Sequence, residues 1–281
     1  MRAQDALTQA VTRLKAAQIE GAPRDARCLL AYALGVVPDR LVLALAEQMT
    51  EAQMTVFQAA IAARVTRQPV SQIIGQRLFW GRSFRVTQDV LDPRPETETL
   101  IEAALARPFA SVLDLGTGSG VILLTLLAER EDARGLGVDV SSAALTVAQQ
   151  NARALGLEGR AEWRRSDWTS AVSGQFDLIV ANPPYIGADE FADLSPEVRD
   201  WEPRGSLVPE HCDGSGLAAY RLICAQATAY LAPSGWLMVE IGARQARAVA
   251  DLFSSAGLRE VAVQRDLNGH DRVVTGRSPA G

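Results

Sequence analysis

The amino-acid sequence predicts an α/β protein in which a small N-terminal helical bundle precedes a seven-stranded, mostly parallel, Rossmann-like sheet. From Ser111 onward, short apolar runs alternate with amphipathic segments, a pattern typical of a parallel sheet with helices on both faces. Before residue 78, apolar residues recur at three- and four-residue spacing, which indicates helices. The length of 281 residues, 48% of them hydrophobic and 22% charged, suits about two globular domains.

Residues 1–78 are predicted to form the first domain, a bundle of short helices. Gly35 is a helix stop signal, and Thr50 with Gln53 three residues later matches a capping box. The helix that this box opens turns a set of apolar residues inward: Met54, Phe57, Ile61 and Val65. The segment carries no catalytic cluster, so we interpret it as a helical bundle with a packing or recognition role.

Residues 79–92 are predicted to be a β-hairpin that links the two domains. Phe79, Trp80 and Phe84 lie around a glycine, and aromatic residues beside a turn residue are typical of a short hairpin. The second domain is predicted to span residues 93–281.

In this second domain, apolar runs predict the strands Val112–Leu115, Leu136–Val140, Ala161–Arg165, Asp177–Ala181, Trp236–Ile241, Glu260–Gln264 and Arg272–Thr275. Helices are predicted at Val121–Glu129, Ala143–Leu155, Leu217–Leu231 and Gln245–Ala256. Because only a short turn separates the last two strands, we expect them to form an antiparallel pair at one edge of the sheet.

The first strand ends in a glycine-rich motif, Asp114-Leu115-Gly116-Thr117-Gly118-Ser119-Gly120. Glycines at this place allow a positive φ and let the backbone approach a ligand at the helix N-terminus. Three alternating glycines favour a nucleoside cofactor site over a tight turn without a ligand. The loop alone does not distinguish a dinucleotide from another nucleoside cofactor.

The end of the second strand narrows the cofactor class. Asp139 stands where a carboxylate can accept hydrogen bonds from ribose hydroxyls, although it could instead cap the helix from Ser141. The glycine spacing is Gly-x-Gly-x-Gly rather than Gly-x-Gly-x-x-Gly, which weakens the case for a pyrophosphate. S-adenosyl-L-methionine, a nucleoside without phosphates, fits better.

A third cofactor contact is predicted after the third strand, at Ser166-Asp167-Trp168. Asp167 could accept a hydrogen bond from an adenine amino group, and Trp168 offers a flat apolar wall for the ring. Core packing of Trp168 is an equally good interpretation of that residue alone.

The most informative string is Asn182-Pro183-Pro184-Tyr185, directly after the fourth strand. Two prolines fix φ and remove two N–H donors, so the carbonyl groups point in set directions. Together with the Asn182 side-chain oxygen they form a rigid acceptor site for a planar –NH2 group, against which Tyr185 can pack. Hydrogen bonds to Asn182 and to the Pro183 carbonyl would localise electron density on nitrogen and orient it for methylation. A sulfonium leaves readily, so no strong general base is required.

Further strings extend the pattern along nearly the whole chain: Phe79-Trp80-Gly81, Pro93-Arg94-Pro95-Glu96-Thr97-Glu98, Glu202-Pro203-Arg204, Glu240-Ile241-Gly242 and Asp266-Leu267-Asn268-Gly269-His270-Asp271-Arg272. The glycine loop, Asp139 and the Asn-Pro-Pro-Tyr string resemble a class I S-adenosylmethionine-dependent methyltransferase. With these further strings, the chain resembles the release factor glutamine methyltransferase family (PrmC, also called HemK).

The resemblance implies N5-methylation of the glutamine in the Gly-Gly-Gln motif of class I peptide chain release factors, with S-adenosyl-L-methionine as the methyl donor. It implies cofactor contacts at Gly116–Gly120, Asp139, Trp168 and Asn182. It also implies glutamine binding at Asn182–Tyr185, with Asn182 and Tyr185 as the catalytic residues.

Two departures from the family pattern are visible. Asp92 stands where the family usually has an apolar residue, and Leu207–Gly214 is not the usual glycine-rich form. The second departure bears on the detail of that loop and not on the chemistry.

The residues alone are compatible with other functions as well. An adenine-N6 DNA or RNA methyltransferase could use the same amine-methylating motif, but it needs a surface that grips nucleic acid. The net charge is −5 and Lys15 is the sole lysine, so we expect no direct binding of nucleic acid. A non-catalytic S-adenosylmethionine-binding module and an NAD-dependent oxidoreductase are two further candidate functions, and the intact Asn182–Tyr185 string disfavours both.

A cytoplasmic location and the absence of a metal are also expected. The start of the chain is amphipathic and carries no apolar signal core, and no apolar run is long enough to span a membrane. Cys28, Cys212 and Cys224 are scattered, which suits a reducing compartment. These cysteines and the histidines His211 and His270 form no close cluster of the kind that binds zinc.

Overall fold

The computed structural model describes residues 1–210 and 213–280, so His211 and Cys212 lie outside the described residues. The chain divides into two compact units. The first comprises Met1–Gln76 and Ser195–Trp201, and the second comprises Arg77–Leu194 and Glu202–Gly281. The predicted second domain includes residues 195–201. The structure groups residues 195–201 with the helices instead, because Glu197 and Trp201 bond to residues between Arg64 and Gln72.

The helices are α1 Ala3–Ala16, α2 Ala22–Leu34, α3 Leu41–Ala44, α4 Glu51–Val65, α5 Val70–Ile74, α6 Glu98–Leu105, α7 Val121–Glu129, α8 Ser142–Ala154, α9 Pro196–Arg199, α10 Ala218–Ala227 and α11 Ala246–Ser255. The strands are β1 Gln76–Phe79, β2 Arg82–Arg85, β3 Ser111–Leu115, β4 Arg134–Asp139, β5 Ala161–Arg165, β6 Phe176–Ala181, β7 Leu231–Glu240, β8 Arg259–Arg265 and β9 Asp271–Arg277.

The helical unit is built as its local signals predict. Gly35 ends α2 in the left-handed conformation, with φ of 68°. The capping box of α4 is formed, since Thr50 N donates to Gln53 Oε1 at 2.9 Å and Gln53 N donates to Thr50 Oγ1 at 3.2 Å. Phe57 and Ile61 are buried in a core shared by α1, α2 and α4.

A segment from the loop after β6 also packs within the helical unit. Glu197 on α9 pairs with Arg64 at 3.0 Å and with Arg67 at 3.3 Å, and Arg64 also pairs with Asp25 at 2.7 Å. Trp201 Nε1 donates to the backbone carbonyl of Thr66, directly after α4, at 3.1 Å. Ion pairs and a tryptophan hydrogen bond therefore fasten residues 195–201 to α4 and the residues that follow it.

The second unit contains a seven-stranded sheet of order β5-β4-β3-β6-β7-β9-β8. Strands β3 to β7 are mutually parallel, whereas β9 runs antiparallel to both β7 and β8. The predicted mostly parallel α/β fold and its antiparallel final pair are thus confirmed. Leu115 pairs with Ala181, and Ala181 pairs with Val239, so the loops after β3, β6 and β7 leave the same edge of the sheet.

The structure corrects several predicted boundaries. The helix predicted at Leu217–Leu231 ends at Ala227, because the chain tightens into a 3-10 turn over Thr228–Tyr230. Strand β7 begins at Leu231 rather than at Trp236, since Leu231 pairs with Phe176 ahead of a register shift.

The hairpin starts at Gln76, earlier than the predicted linker of residues 79–92. Its turn places Trp80 and Gly81 at φ of 47° and 71°, which is the twist that a two-residue hairpin needs. The rings of Phe79 and Phe84 meet edge to face with centroids 6.2 Å apart, and both are buried in the core of the second unit. The hairpin is therefore packed as part of that unit.

Candidate active site

The glycine loop turns away from β3 with all three of its glycines at positive φ, 70° for Gly116, 55° for Gly118 and 78° for Gly120. A Cβ on Gly120 would lie 2.9 Å from the Trp163 ring, so this glycine is required for packing. At Gly116 and Gly118 a Cβ would meet no atom within 4 Å. The backbone therefore borders open space at these two positions, which suits a cradle for a ligand.

Asp139 lies at the end of β4 and braces this loop. Its Oδ2 accepts from Gly118 N at 2.9 Å, and its Oδ1 accepts from Ser141 N at 2.8 Å. The cap of α8 is formed by another residue, since Ser141 Oγ accepts from Ala144 N at 3.2 Å. Burial raises the pKa of Asp139, and the backbone N–H donors oppose that shift. Each carboxylate oxygen accepts one backbone hydrogen bond and keeps capacity for another, such as one from a ribose hydroxyl.

Asp114 precedes the loop, as the fourth residue of β3, and is fully buried. Its Oδ2 accepts from the Thr117 hydroxyl at 2.6 Å, while its Oδ1 has no partner among the described residues. Burial raises the pKa of Asp114 to about 7, although the Thr117 hydrogen bond lowers it. An orphaned carboxyl oxygen beside an open glycine turn fits a ligand that carries a donor or a positive charge.

Asn151 also holds the loop, a role that no sequence motif indicates. This buried α8 residue donates from Nδ2 to the Ser119 carbonyl at 2.8 Å and accepts at Oδ1 from Arg85 N at 2.7 Å. Strand β2, helix α8 and the glycine loop therefore meet at one side chain. Its partners are distant in sequence, so no local pattern could reveal this role.

Trp168 follows β5, the strand whose last residue, Arg165, pairs with Asp139. It is half-buried against the core beside β3 and β4 and takes a φ of 48°. Ser166 secures the turn, because its hydroxyl donates to the Trp168 carbonyl at 2.8 Å. Asp167 is exposed. Both the packing role and the cofactor-wall role of Trp168 are compatible with this placement.

The Asn-Pro-Pro-Tyr string follows β6 at the same sheet edge as the glycine loop. Asn182 is half-buried and its Nδ2 donates to Thr97 Oγ1 at 3.4 Å. Pro183 is buried, whereas Pro184 and Tyr185 are half-buried. The tetrapeptide is thus packed into the protein at Pro183, and its other residues stay partly accessible to solvent.

The backbone of Tyr185 is fastened by Gln245, a residue to which sequence analysis gave no functional role. Gln245 Nε2 donates to the Tyr185 carbonyl at 3.0 Å, and Gln245 Oε1 accepts from Gly242 N at 3.0 Å. A Cβ on Gly216 would collide with the Tyr185 carbonyl oxygen, and one on Gly242 would lie 3.4 Å from the Tyr185 ring. The Tyr185 carbonyl therefore explains Gly216, whereas Gly242 is explained by Gln245, whose Oε1 would lie 2.9 Å from such a Cβ.

Tyr185 remains a neutral phenol at physiological pH. Burial, followed by the nearby Glu240 carboxyl, raises its pKa to about 12. Such a phenol is a poor general base near pH 7. The arrangement is suited to holding a planar acceptor and not to removing a proton with Tyr185.

The strings Glu240–Gly242 and Asp266–Arg272 meet behind the tetrapeptide. Arg272 donates to the Ile241 carbonyl at 3.1 Å and to Asp266 Oδ2 at 3.2 Å. Asp266 Oδ1 also accepts from the backbone N–H of His270 at 3.0 Å, which shapes the β8–β9 turn. These strings form a scaffold that joins the end of β7 to the start of β9.

The two departures from the family pattern lie in the same unit. Asp92 is buried, and its Oδ2 lies 3.8 Å from Arg77 Nη1. Glu202 pairs with Arg94 at 2.6 Å, and burial raises the pKa of Glu202 to about 7. The Leu207–Gly214 stretch begins with a packed residue, because the Leu207 carbonyl accepts from Ile186 N at 2.9 Å.

The structure thus brings Gly116–Gly120, Asp139, Trp168 and Asn182–Tyr185 to one edge of the sheet. Within residues 1–210 and 213–280, no group of three or more His, Cys, Asp or Glu side chains could hold a metal ion. In the same described part of the chain, no helix is both long and apolar enough to cross a membrane.

Family models match both parts of the chain. Residues 5–75 match the PrmC N-terminal domain, and residues 88–194 match the methyltransferase small domain.

Relatives named release factor glutamine methyltransferase match over nearly all of this chain. The protein from Cereibacter sphaeroides is 59% identical over 280 residues, covering 100% of this chain and 100% of its own. The protein from Rhodospirillum rubrum is 47% identical, with 98% of this chain and 84% of its own covered. The protein from Caulobacter vibrioides is 44% identical, with 96% and 94% covered.

Solved structures share the fold at low sequence identity. A methyltransferase from Pyrococcus furiosus gives a TM-score of 0.55 at 13% identity, covering 79% of this chain and 98% of that one. A T. thermophilus 16S rRNA N2 G1207 methyltransferase, solved with AdoMet and guanosine, gives 0.51 at 21% identity, covering 72% and 49%. These similarities support the methyltransferase-type fold of the sheet and carry no argument about the substrate.

Proposed function

The chain belongs to the release factor glutamine methyltransferase family, and from that premise we propose its reaction and its site. It transfers a methyl group from S-adenosyl-L-methionine to the N5 amide nitrogen of the glutamine in the Gly-Gly-Gln motif of class I peptide chain release factors. One observation carries this proposal most directly. The Asn182–Tyr185 string lies at the carboxyl edge of the sheet that also carries the glycine loop.

The residues of the glycine loop fit S-adenosyl-L-methionine. Open space borders Gly116 and Gly118, and Asp114 just before the loop keeps one buried carboxyl oxygen without a hydrogen-bond partner. We assign the loop Gly116–Gly120 to the cofactor backbone, Asp139 to the ribose hydroxyls, and Trp168 to the wall of the adenine pocket. When bound, this cofactor supplies an electrophilic methyl group on a sulfonium that leaves readily.

The acceptor amide is assigned to Asn182–Tyr185. The Asn182 Oδ1 and the Pro183 carbonyl accept hydrogen bonds from the glutamine –NH2 group. These hydrogen bonds raise the electron density on the amide nitrogen and orient the nitrogen toward the methyl group. Tyr185 packs on the planar amide and stays protonated. The amide nitrogen forms the new bond to the methyl carbon as the bond from that carbon to sulfur breaks. The surplus proton leaves the methylated nitrogen to water, so the site needs no strong base.

We assign recognition of the release factor body to the helical unit. A single glutamine offers too little surface to be told apart from other glutamines, whereas protein interfaces commonly bury about 800 Å² per partner. The helical unit carries no cofactor motif, and it also contains Ser195–Trp201 from the loop that follows Tyr185. Because release factors act in translation, we place the protein in the cytoplasm.

A methyl-transfer assay tests this function. The protein is incubated with S-adenosyl-L-methionine labelled in its methyl group and with a purified class I release factor. We expect label in the intact release factor and none in a variant whose Gly-Gly-Gln glutamine is replaced by alanine. Equal labelling of both substrates would contradict the proposed target, and labelling of a DNA or RNA oligomer alone would favour an adenine methyltransferase.

A further inference from the structure

The backbone of Pro183-Pro184-Tyr185 has few groups that could hold it in place. The two prolines have no N–H, and among the described residues the Tyr185 carbonyl carries the only hydrogen bond on the backbone of residues 183–185. That hydrogen bond comes from Gln245 Nε2, at 3.0 Å. The end of the string therefore depends on one side chain, which lies directly before α11.

Backbone groups of known polarity fix the orientation of the Gln245 amide. Its Oε1 accepts from Gly242 N at 3.0 Å, and a backbone N–H can only donate. Its Nε2 faces the carbonyl oxygen of Tyr185 and, at 3.5 Å, that of Ser215, and a carbonyl can only accept. A flipped amide would place oxygen against the carbonyls and N–H against N–H. Only one orientation is therefore compatible with these partners.

The surroundings of Gln245 leave room for this side chain in this place. Its own backbone N–H donates to the Gly242 carbonyl at 2.9 Å, so Gln245 and Gly242 are joined by two hydrogen bonds. A Cβ on Gly242 would lie 2.9 Å from Gln245 Oε1, and a Cβ on Gly216 would lie 2.8 Å from Gln245 Nε2. Glycines on two separate segments thus provide the space that the side-chain amide occupies.

The peptide unit between Tyr185 and Ile186 is held at both of its polar groups. Gln245 binds its oxygen, and its N–H donates to the Leu207 carbonyl at 2.9 Å. Because a peptide unit is planar, these two hydrogen bonds set the direction of its plane and the backbone from which the Tyr185 ring projects. A rotation of that plane would move the ring assigned to pack on the acceptor amide.

We propose that Gln245 is a positioning residue of the acceptor site, which fixes the Tyr185 peptide and thereby the ring that packs on the glutamine amide. This inference rests on the proposed function and adds a residue that acts through Tyr185 without touching the substrate. Among the described residues, Gln245 bonds to none of those assigned to S-adenosyl-L-methionine. Its effect should therefore fall on the acceptor and not on the methyl donor.

Two substitutions of Gln245 differ in the hydrogen bonds that they remove. Gln245→Met keeps the length of the side chain and removes both. Gln245→Glu keeps an acceptor for Gly242 N, but an ionised carboxylate cannot donate to the Tyr185 carbonyl. At about pH 8 we expect each variant to lose about tenfold to a hundredfold in kcat on the release factor, since small misplacements have costs of this size.

Affinity for S-adenosyl-L-methionine, measured by calorimetry, should stay unchanged in both variants. Gln264→Met is the matched control, because this half-buried glutamine of the edge strand β8 makes no side-chain hydrogen bond within the described part of the chain. We expect wild-type kinetics from the control. Wild-type kcat in Gln245→Met would overturn the inference.

Lowering the pH separates the missing donor from a general loss of packing. A protonated glutamic acid has one O–H that can donate to the Tyr185 carbonyl, while its other oxygen still accepts from Gly242 N. Relative to the wild type at the same pH, Gln245→Glu should recover most of its kcat on going from about pH 8 to about pH 5. The corresponding ratio for Gln245→Met should stay constant. No recovery in Gln245→Glu would overturn the inference.

A double-mutant cycle tests whether Gln245 acts through Tyr185. In a Tyr185→Ala background the ring is gone, so adding Gln245→Met should lower the single-turnover rate by less than about twofold. The same loss with and without the Tyr185 ring would overturn the inference.

A magnetic resonance signal of the Tyr185 peptide gives a readout that needs no substrate. Tyr185-Ile186 is the only tyrosine–isoleucine pair in the sequence, so carbonyl carbon-13 tyrosine combined with nitrogen-15 isoleucine labels this one peptide. We expect its carbonyl signal to shift in Gln245→Met and to stay in place in Gln264→Met; no shift in Gln245→Met would overturn the inference. A wild-type protein that shows the Gln245-dependent shift but methylates no release factor would contradict the proposed function and leave the positioning of Tyr185 standing.

Discussion

At the scale of single residues, Asn182 is the side chain on which the proposed chemistry depends. Asn182→Ala should abolish most methyl transfer, because loss of one positioned hydrogen bond in such a site typically costs about 10²–10³ in rate. The fold should survive, since the side chain is half-buried and lies at the end of a strand. Steady-state kinetics with circular dichroism as the folding check measures both. Near-normal turnover in the variant would refute the role given to Asn182.

Asp139 is expected to act on binding more than on the chemical step. Asp139→Ala should weaken the affinity for S-adenosyl-L-methionine by a larger factor than it lowers kcat, because a ribose contact is shared by the ground and transition states. Calorimetry with the cofactor or its demethylated product measures this. Because Asp139 also braces Gly118, Asp139→Asn is the companion variant that keeps an acceptor oxygen. Unchanged affinity in Asp139→Ala would reduce Asp139 to a structural brace.

Buried carboxyls make the second unit sensitive to pH. Burial raises the pKa of Asp114, Glu202 and Glu240 to about 7 each. A carboxyl whose pKa is higher in the folded state holds its proton more tightly there, so its stabilising effect is present at low pH and is lost as pH rises through about 7. We therefore expect the free energy of unfolding to fall between about pH 4 and pH 7, from the ordinary carboxyl pKa to the raised one.

Glu240→Gln should make that fall smaller, because the glutamine stays neutral. A pKa raised from 4.5 to about 7 corresponds to at most roughly 3.5 kcal/mol. Urea unfolding at several pH values measures the slope, and the exposed Glu158→Gln serves as the control with a wild-type slope. A Glu240→Gln slope equal to that of the wild type would show that Glu240 does not ionise in this range.

At the scale of elements, Asn151 joins three pieces of the second unit. Asn151→Ala leaves the Ser119 carbonyl and the Arg85 N–H without their partner, and unpaired buried groups of this kind cost about 1–3 kcal/mol each. We expect a loss of roughly 2–4 kcal/mol in the free energy of unfolding, together with weaker cofactor binding. Urea denaturation and calorimetry measure the two effects. The exposed Gln149→Ala on the same helix is the control, and a stable Asn151→Ala with normal affinity would contradict the assignment.

The elements that sequence analysis predicts well are those with local signals. The strands are short apolar runs. Thr50 and Gln53 indicate the α4 capping box, and the spacing of the glycines indicates the glycine loop. What the sequence could not reveal are side chains whose partners lie far along the chain. Asn151 with Ser119, Thr97 with Asn182, and Gln245 with Tyr185 are contacts of this kind. Thr97 stands within a family string, but the string assigns it no role.

At the scale of the whole molecule, the chain enters the helical unit twice, once at its start and again at Ser195–Trp201. The second passage occurs in the loop that follows Tyr185. Deleting residues 1–75 would therefore remove the proposed recognition surface and also the partners of Glu197 and Trp201. A single substitution in the segment is a cleaner test than the deletion.

Glu197→Gln removes the charge that pairs with Arg64 and Arg67. We expect kcat/KM on an intact release factor to fall several-fold, since a partly buried ion pair holds the segment, while affinity for S-adenosyl-L-methionine stays unchanged. Asp200→Asn, at an exposed position in the same segment, is the control. Wild-type kcat/KM in Glu197→Gln would mean that the attachment of this segment has no bearing on substrate use.

Tandem mass spectrometry of a purified class I release factor tests the proposed methylation most directly. The factor is incubated with this protein and S-adenosyl-L-methionine, digested, and sequenced by fragmentation. We expect a gain of one methyl group, located on the side chain of the Gly-Gly-Gln glutamine, and a gain slowed by about 10²–10³ with Asn182→Ala. An unmodified glutamine after incubation with the folded, cofactor-binding wild-type protein, or a methyl group on another residue, would contradict the proposed methylation.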